Sequence, residues 1–288
     1  MKEAGPTISV VIPTHGRARL LAETLSTVEM QTQAPNEVLV IDDLGDSETR
    51  ELVQVRASAF PVPLRYVHNA AEPGACGSRN VGARLSAGEA IAFLDDDDRW
   101  LPSYLEALSA QLLSSDTDFV ISYIDRCFPN GSVKHLTTAP GLTATNVLHQ
   151  RVYMTGSSVL IRRNAFEDVG GFDPNVPVFN DWDFFIRLVR AGKRYRVVPE
   201  PLVQWVEHHG ARITTATLRR ADGIDRFLGV YGGDMAADVR AYFLRIAFGI
   251  RKAHETSRVR RALLTGRMFR KAGLAGSAFI VRQHLHRG

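Results

Sequence analysis

The sequence predicts an α/β protein: a mostly parallel β-sheet flanked by helices, followed by a basic helical extension. Three observations carry this. Short apolar runs alternate with helical stretches over the first 100 residues, most of those runs end in polar clusters, and the sign of the charge reverses near the C-terminus. Strand–helix alternation with apolar strands implies a sheet covered on both faces.

The elements follow in order. Ile8–Ile12 is apolar and β-branched and is closed by Pro13, as a buried strand is. Leu20, Leu21, Thr24, Leu25 and Val28 then share one helical face, and Pro35 closes the unit. Glu37–Ile41 is a second strand running into Asp42 and Asp43, with a helix over 47–57 after it. Leu64–Val67 is a third strand, and Gly74–Ser86 starts glycine-rich and turns helical. Ala90–Leu94 is a fourth strand, running straight into Asp95, Asp96, Asp97 and Asp98. The second half is less regular. Its expected elements are a helix at Tyr104–Leu113, a strand at Phe119–Tyr123, a turn at Pro129–Gly131 and a strand at Ser158–Ile161. A helix ending near Gly170 follows, then an amphipathic helix at Trp182–Ala191 and a strand at Tyr195–Val198. Beyond about residue 217 the pattern is helical to the end.

Composition narrows the class. A chain of 288 residues allows one large domain or a domain with an appendage. An apolar fraction of 45% is too high for disorder. Two cysteines, Cys76 and Cys127, exclude a disulfide scaffold and a Cys-rich zinc module. No apolar run approaches the roughly 18 residues needed to span a bilayer, and the N-terminus lacks the layout of a signal peptide. A cytoplasmic location is therefore expected.

The net charge of +4 hides a division: residues 244–288 hold 11 Lys and Arg against one acid, Glu255, while the remainder has 24 basic and 30 acidic residues. In the tail, Leu263, Leu264, Met268 and Phe269 mix with Arg260, Arg261, Arg267, Arg270 and Lys271. A basic amphipathic helix reads as a membrane-surface element, which would place the protein peripherally at the inner membrane face. Packing on the acidic part or dimerisation are the alternatives. Nucleic acid is not an expected partner, because aromatic residues spaced for base stacking are lacking.

Open parallel sheets bind ligands beyond the carboxyl ends of their strands. Thr14-His15, Asp42-Asp43 and Asp95–Asp98 should therefore converge on one crevice. Four consecutive aspartates repel one another. A divalent cation held by one or two carboxylates plus substrate phosphates would compensate them, whereas a helix cap needs only one. Gly74–Asn80 offers backbone N–H groups and Arg79 at a helix start, which suits phosphate. Asp181 and Asp183 flank Trp182 at another helix start; one can cap the helix and the other is available as a base.

The segments ISVVIPTHGR, VLVIDD, GACGSRNVGA, AIAFLDDDDRW, GGFD and NDWDFFIRL, in that order, resemble the inverting glycosyltransferases of family 2, which have the GT-A fold. The resemblance covers about residues 7–215. It implies a GT-A domain over 1–216, with a nucleotide-binding half to about residue 100 and an acceptor half after it, and it leaves 217–288 as the extension. It implies sugar transfer from a UDP-, dTDP- or GDP-linked donor to a hydroxyl of a carbohydrate, lipid-linked or small-molecule acceptor.

Position by position, the resemblance puts Pro13, Thr14, His15 and Arg17 in the loop that meets the nucleotide, and Asp43 on the base. It puts Arg79 near the nucleotide and Asp95 and Asp96 in the donor site. Asp95 and Asp97 match the two carboxylates of a D-x-D motif for Mn²⁺ or Mg²⁺, with Asp98 a further ligand. His209 matches a late histidine that approaches the metal or diphosphate, with His208 beside it. Asp181 matches the general base. The sequence departs from the family pattern at His15-Gly16, where Tyr-Asn is usual, at Leu44-Gly45, where Gly-Ser is preferred, and at Asn180, where an acid is common. The implied reaction is a single displacement in which a carboxylate takes the acceptor's proton and a metal neutralises the leaving diphosphate. Cys76 is then a packing residue, and residues 125–155, with Arg126, His135, His149, Arg151 and Tyr153, are where acceptor choice is expected. A nucleotidyltransferase would need a glycine-rich phosphate loop after the first strand, and Pro13–Arg19 has a single glycine. A catalytically dead binding protein would not need Asp95, Asp97 and Asp181.

Overall fold

The computed structural model describes residues 5–114, 116–207 and 216–285. The chain divides into two compact units. One comprises 1–144, 152–174 and 180–208; the other comprises 145–151, 175–179 and 209–288.

In the first unit, β1 (Ile8–Thr14), β2 (Glu37–Asp42), β3 (Leu64–His68) and β4 (Ala90–Phe93) pair in parallel in the order β3-β2-β1-β4. Each is joined to the next by a helix: α1 (Ala18–Glu29), α2 (Ser47–Ala57) and α3 (Ala75–Leu85). Parallel neighbours require such crossovers. Val10, Val11, Ile12 and Val38–Ile41 are fully buried because helices cover both faces of the sheet. Of the expected face of α1, Leu21, Thr24, Leu25 and Val28 are buried, while Leu20 is half-buried at its margin.

Beyond β4 the unit adds β5 (Asp98–Trp100), α4 (Tyr104–Leu112), β6 (Phe119–Cys127), β7 (Val133–Leu136), β8 (Val159–Arg162), α5 (Arg163–Asp168), α6 (Asn180–Arg190) and β9 (Tyr195–Val206). The sheet continues β4-β8-β6-β9-β5, with β7 on β6. Here it is mixed: β8 runs antiparallel to β4 and β6, and β5 runs antiparallel to β9, while β6 and β9 are parallel. Antiparallel neighbours need no crossover helix, which is why the alternating pattern fades from the sequence here.

Two strands went unforeseen. β5 forms because the aspartate run re-enters the sheet, Asp98 lying opposite Trp205. β7 forms beyond the Pro129–Gly131 turn, where Gly131 takes a φ of 81°. β9 is also longer than its apolar run, since the β6–β9 register steps from Ser122–Val198 to Tyr123–Pro201. That bulge leaves Pro199 out of the ladder, where its missing N–H does no harm.

The second unit is helical: α7 (Leu218–Tyr231), α8 (Ala237–His254) and α9 (Arg258–Leu285), the last broken at Gly273, whose φ is 70°. Ala241, Leu244 and Phe248 of α8 form a core with Met268, Ala272 and Ile280 of α9. Arg251 joins α8 to α7 through Asp222 at 2.7 Å and Asp225 at 2.9 Å. Among the described residues, no helix is long and apolar enough to cross a membrane.

The close seat of α3 on the sheet depends on Gly82, where a Cβ would stand 2.2 Å from Val11 Cγ1. In an open helix Gly→Ala gains up to about 1 kcal/mol. Here Gly82→Ala should instead destabilise the fold by about 1–3 kcal/mol through overpacking, read as a lower urea midpoint at unchanged slope.

Candidate active site

The loops after β1, β2 and β4 meet the start of α3, as the sheet topology requires. Asp43, just past β2, accepts from the Gly74 N–H at 2.5 Å and pairs with His15 Nδ1 at 2.5 Å. One carboxylate thus ties three loops together. The adjacent Asp42 is buried and accepts from the Tyr66 hydroxyl at 2.8 Å. Pro13 lies within β1, in register with Ile41.

The aspartate run makes a tight turn between β4 and β5, the Asp98 N–H donating to the Asp95 carbonyl at 3.1 Å. Asp96 and Asp98 are buried, while Asp95 and Asp97 are half-buried. Asp96 accepts from Thr14 Oγ1 at 2.6 Å and pairs with Arg17 Nη2 at 2.6 Å. Arg17 also reaches Asp97 at 3.1 Å. Asp98 accepts from Ser157 Oγ at 2.6 Å, and the same hydroxyl takes the Asp95 N–H at 3.0 Å. Burial pushes the Asp96 carboxyl up to about 7, against the pull of Arg17 and Thr14.

Arg79 is the centre of the second half of the site. Its side chain is 3% exposed. It donates to Asp95 Oδ1 at 2.5 Å and to Asn180 Oδ1 at 3.4 Å, and it lies 3.9 Å from Asp181 Oδ1. Its underside rests on the Phe172 ring, 4.9 Å from the centroid, in the aromatic cluster of Phe93, Phe166, Phe172 and Phe184. Gly156 leaves room for it: a Cβ there would sit 2.8 Å from Arg79 Nε.

Asp181 and Asp183 are separated by their surroundings. Asp181 stands in the first turn of α6, and its side chain is 24% exposed. Burial pushes its carboxyl up to about 6; Arg79 opposes the rise, Asp95 adds to it, and a hydrogen bond from the Gly156 amide lowers it. Asp183 is buried and pairs with Arg187 at 2.8 Å, one turn along the helix. A half-open carboxylate with a raised proton affinity suits proton transfer near neutral pH.

The structure therefore brings Thr14, Arg17, Asp96 and Asp97 into one ion-pair network and Arg79, Asp95 and Asp181 into another, linked through the aspartate run. His209, and His208 beside it, lie outside the described residues. Among the described residues no group of three or more His, Cys, Asp or Glu is poised to hold a metal. Asp95 and Asp97 do supply hard carboxylate oxygens, and a Mg²⁺-like cation needs only one or two of these besides phosphate and water. Ser157 and Gly156, which brace the aspartates and Arg79, were missed in the sequence. A Gly-Ser-Ser triplet before a strand has no distinguishing signal. Burial raises the Cys76 thiol to about 11, which keeps it protonated and in keeping with a packing role.

Replacing Arg17 should expose how much this network matters. Arg17→Met leaves the Asp96 charge buried without its cation, a change that costs about 3–5 kcal/mol. Because the folded state holds the Asp96 proton more tightly than an unfolded carboxylate does, the loss should be largest above pH 7. It should shrink as pH falls and Asp96 neutralises. Thermal melting at several pH values checks this.

Comparison with known proteins places this arrangement. The family described as "Glycosyl transferase family 2" matches residues 9–170. The chain is 29% identical over 201 residues to a Bacillus subtilis (strain 168) protein described as the uncharacterized glycosyltransferase YwdF, covering 67% of this chain and 71% of that one. Among solved structures, Staphylococcus aureus TarS 1–349 in complex with UDP-GlcNAc superposes with a TM-score of 0.66 at 18% identity, covering 95% of this chain and 83% of TarS. The mannosyltransferase PcManGT from Pyrobaculum calidifontis, in complex with GDP-Man and Mn²⁺, superposes with a TM-score of 0.61 at 18% identity, covering 96% of this chain and 84% of that one. With the crossover sheet, the aspartate run at its edge and a family match over more than half its length, the chain belongs to glycosyltransferase family 2 and has the GT-A fold.

Proposed function

We propose that this glycosyltransferase works by a single inverting displacement, with Asp181 as general base. The observation that carries the reading is the position of Asp181 and Asp95 on one buried guanidinium, Arg79. That pairing puts a candidate base and a candidate donor-site carboxylate on the same crevice. The acceptor hydroxyl loses its proton to the Asp181 carboxylate as its oxygen bonds to the anomeric carbon. The bond from that carbon to the diphosphate oxygen breaks, and the nucleoside diphosphate leaves with the electron pair. Attack opposite the leaving group inverts the centre.

The donor is a nucleotide diphosphate sugar. His15 and Asp43 serve the base, Pro13, Thr14 and Arg17 shape the loop against the nucleotide, and Arg79 offsets charge near the diphosphate. Two structures of like fold hold such donors, one of them with Mn²⁺. Asp95 and Asp97 would hold Mn²⁺ or Mg²⁺, which supplies charge neutralisation at the diphosphate. Asp96 and Asp98 act from beneath, through Arg17 and Ser157. The acceptor presents a hydroxyl on a carbohydrate, a lipid-linked sugar or a small molecule.

Three outcomes test this. Asp181→Asn keeps shape but cannot take a proton, so turnover should fall by about 10²–10⁴ while donor affinity by calorimetry stays unchanged; lost donor binding would assign Asp181 to the donor site instead. The carboxyl raised to about 6 must be ionised to act, so kcat/KM should decline with unit slope below about pH 6 and be flat just above it. A limb at the ordinary carboxylate value near 4 would remove Asp181 from that role. Asp97→Ala should abolish the Mn²⁺-dependent part of UDP, dTDP or GDP binding; equal nucleotide affinity with and without Mn²⁺ in the unaltered protein would overturn the metal assignment.

A further inference from the structure

The first part of α9, up to its break at Gly273, carries apolar side chains on two sides, and only one side joins the core. Leu264, Met268 and Ala272 face inward and join the core with Ala241, Leu244 and Phe248 of α8. On the other side Val259 is 70% exposed and Leu263 59% exposed. Val259, Leu263, Gly266 and Arg270 fall four, seven and eleven residues from the first and so share one stripe. Arg260, Arg267 and Lys271 form the neighbouring stripe with the same spacing, and all three are exposed. No acidic residue follows Glu255 anywhere in the chain. Nearby, Lys252, Arg258 and Arg261 line an open groove of about 320 Å³, with Ala262 and Thr265.

We propose that this face of α9 docks on an anionic phospholipid surface, with Val259 and Leu263 at the acyl boundary, the arginines on the phosphates, and a lipid phosphate in the Lys252–Arg258–Arg261 groove. The chemistry selects this occupant. Leu263 and Val259 flanked by cations match a helix lying in the interface plane. A second copy of the chain is disfavoured, because meeting through this face would bring two arginine stripes together. The proposal concerns the second unit alone and does not rest on the reaction assigned to the first.

Vesicle co-sedimentation with the full chain tests it, using phosphatidylglycerol–phosphatidylcholine vesicles against pure phosphatidylcholine. Binding should occur to the anionic vesicles only and should weaken as salt rises, since exposed charges are screened. Replacing Arg260, Arg267 and Arg270 together by Gln should weaken it about a hundredfold, at about fivefold per charge. Leu263→Ser should weaken it at unchanged salt dependence. Both variants alter exposed side chains; circular dichroism confirms that they fold, and donor affinity should match that of the unaltered protein. The proposal is overturned if the chain ignores anionic vesicles, if it binds neutral ones equally, or if the triple variant binds as well as the original. It is also overturned if sedimentation equilibrium finds a dimer that the triple variant abolishes, or if a DNA duplex binds more tightly than the vesicles at the same salt.

Discussion

Four aspartates in a row at the end of a buried strand would repel one another and lose their hydration, and the first unit is organised around answering that cost. The run turns tightly between β4 and β5, the Asp98 N–H donating to the Asp95 carbonyl. That turn carries Asp96 and Asp98 into the interior, where a charge must be paired and hydrogen-bonded. Arg17 and Thr14 meet the first, and Ser157 meets the second. Asp95 and Asp97 are left on the crevice side, held by Arg79 and Arg17 but not sealed in. One run of four identical residues thus supplies two buried carboxylates and two half-buried ones.

Arg79 extends that logic to α6. A guanidinium is planar, stays charged, and can serve several acceptors at once. Buried on Phe172, it fixes the distance between the aspartate run and the start of α6, where Asn180 and Asp181 stand. Two glycines make the arrangement possible. Gly156 vacates the space that Arg79 fills, and Gly82 lets α3, the helix that carries Arg79, approach β1 closely. The contrast between Asp181 and Asp183 has the same origin. Both sit in the first turn of α6, but one faces the buried cation and the crevice, and the other turns inward to Arg187.

The second unit solves a different problem. Its helices bury a modest core of their own, and Arg251 bridges α7 and α8. What remains on α9 is exposed Val259 and Leu263 among cations, in a part of the chain with no acidic residue after Glu255, the surface proposed to meet lipid.

Local pattern determined much of this protein. The four parallel strands, the three crossover helices, the inward face of α1 and the turn at Pro129–Gly131 were all legible, because each is fixed by periodicity or backbone preference within about a dozen residues. The motifs in order pointed to the family, and the charge division marked the basic helical end. The mixed half of the sheet was not legible. β5 and β7 exist only because partner strands lie beside them, and β9 runs past its two prolines only because β6 accommodates a bulge. Nor did the sequence separate Asp96 and Asp98 from Asp95 and Asp97, or single out Gly156 and Ser157. Those distinctions come from which groups, 59 to 80 residues away, the fold brings within hydrogen-bond reach. Pairing across such separations is set by packing, and no local preference encodes it.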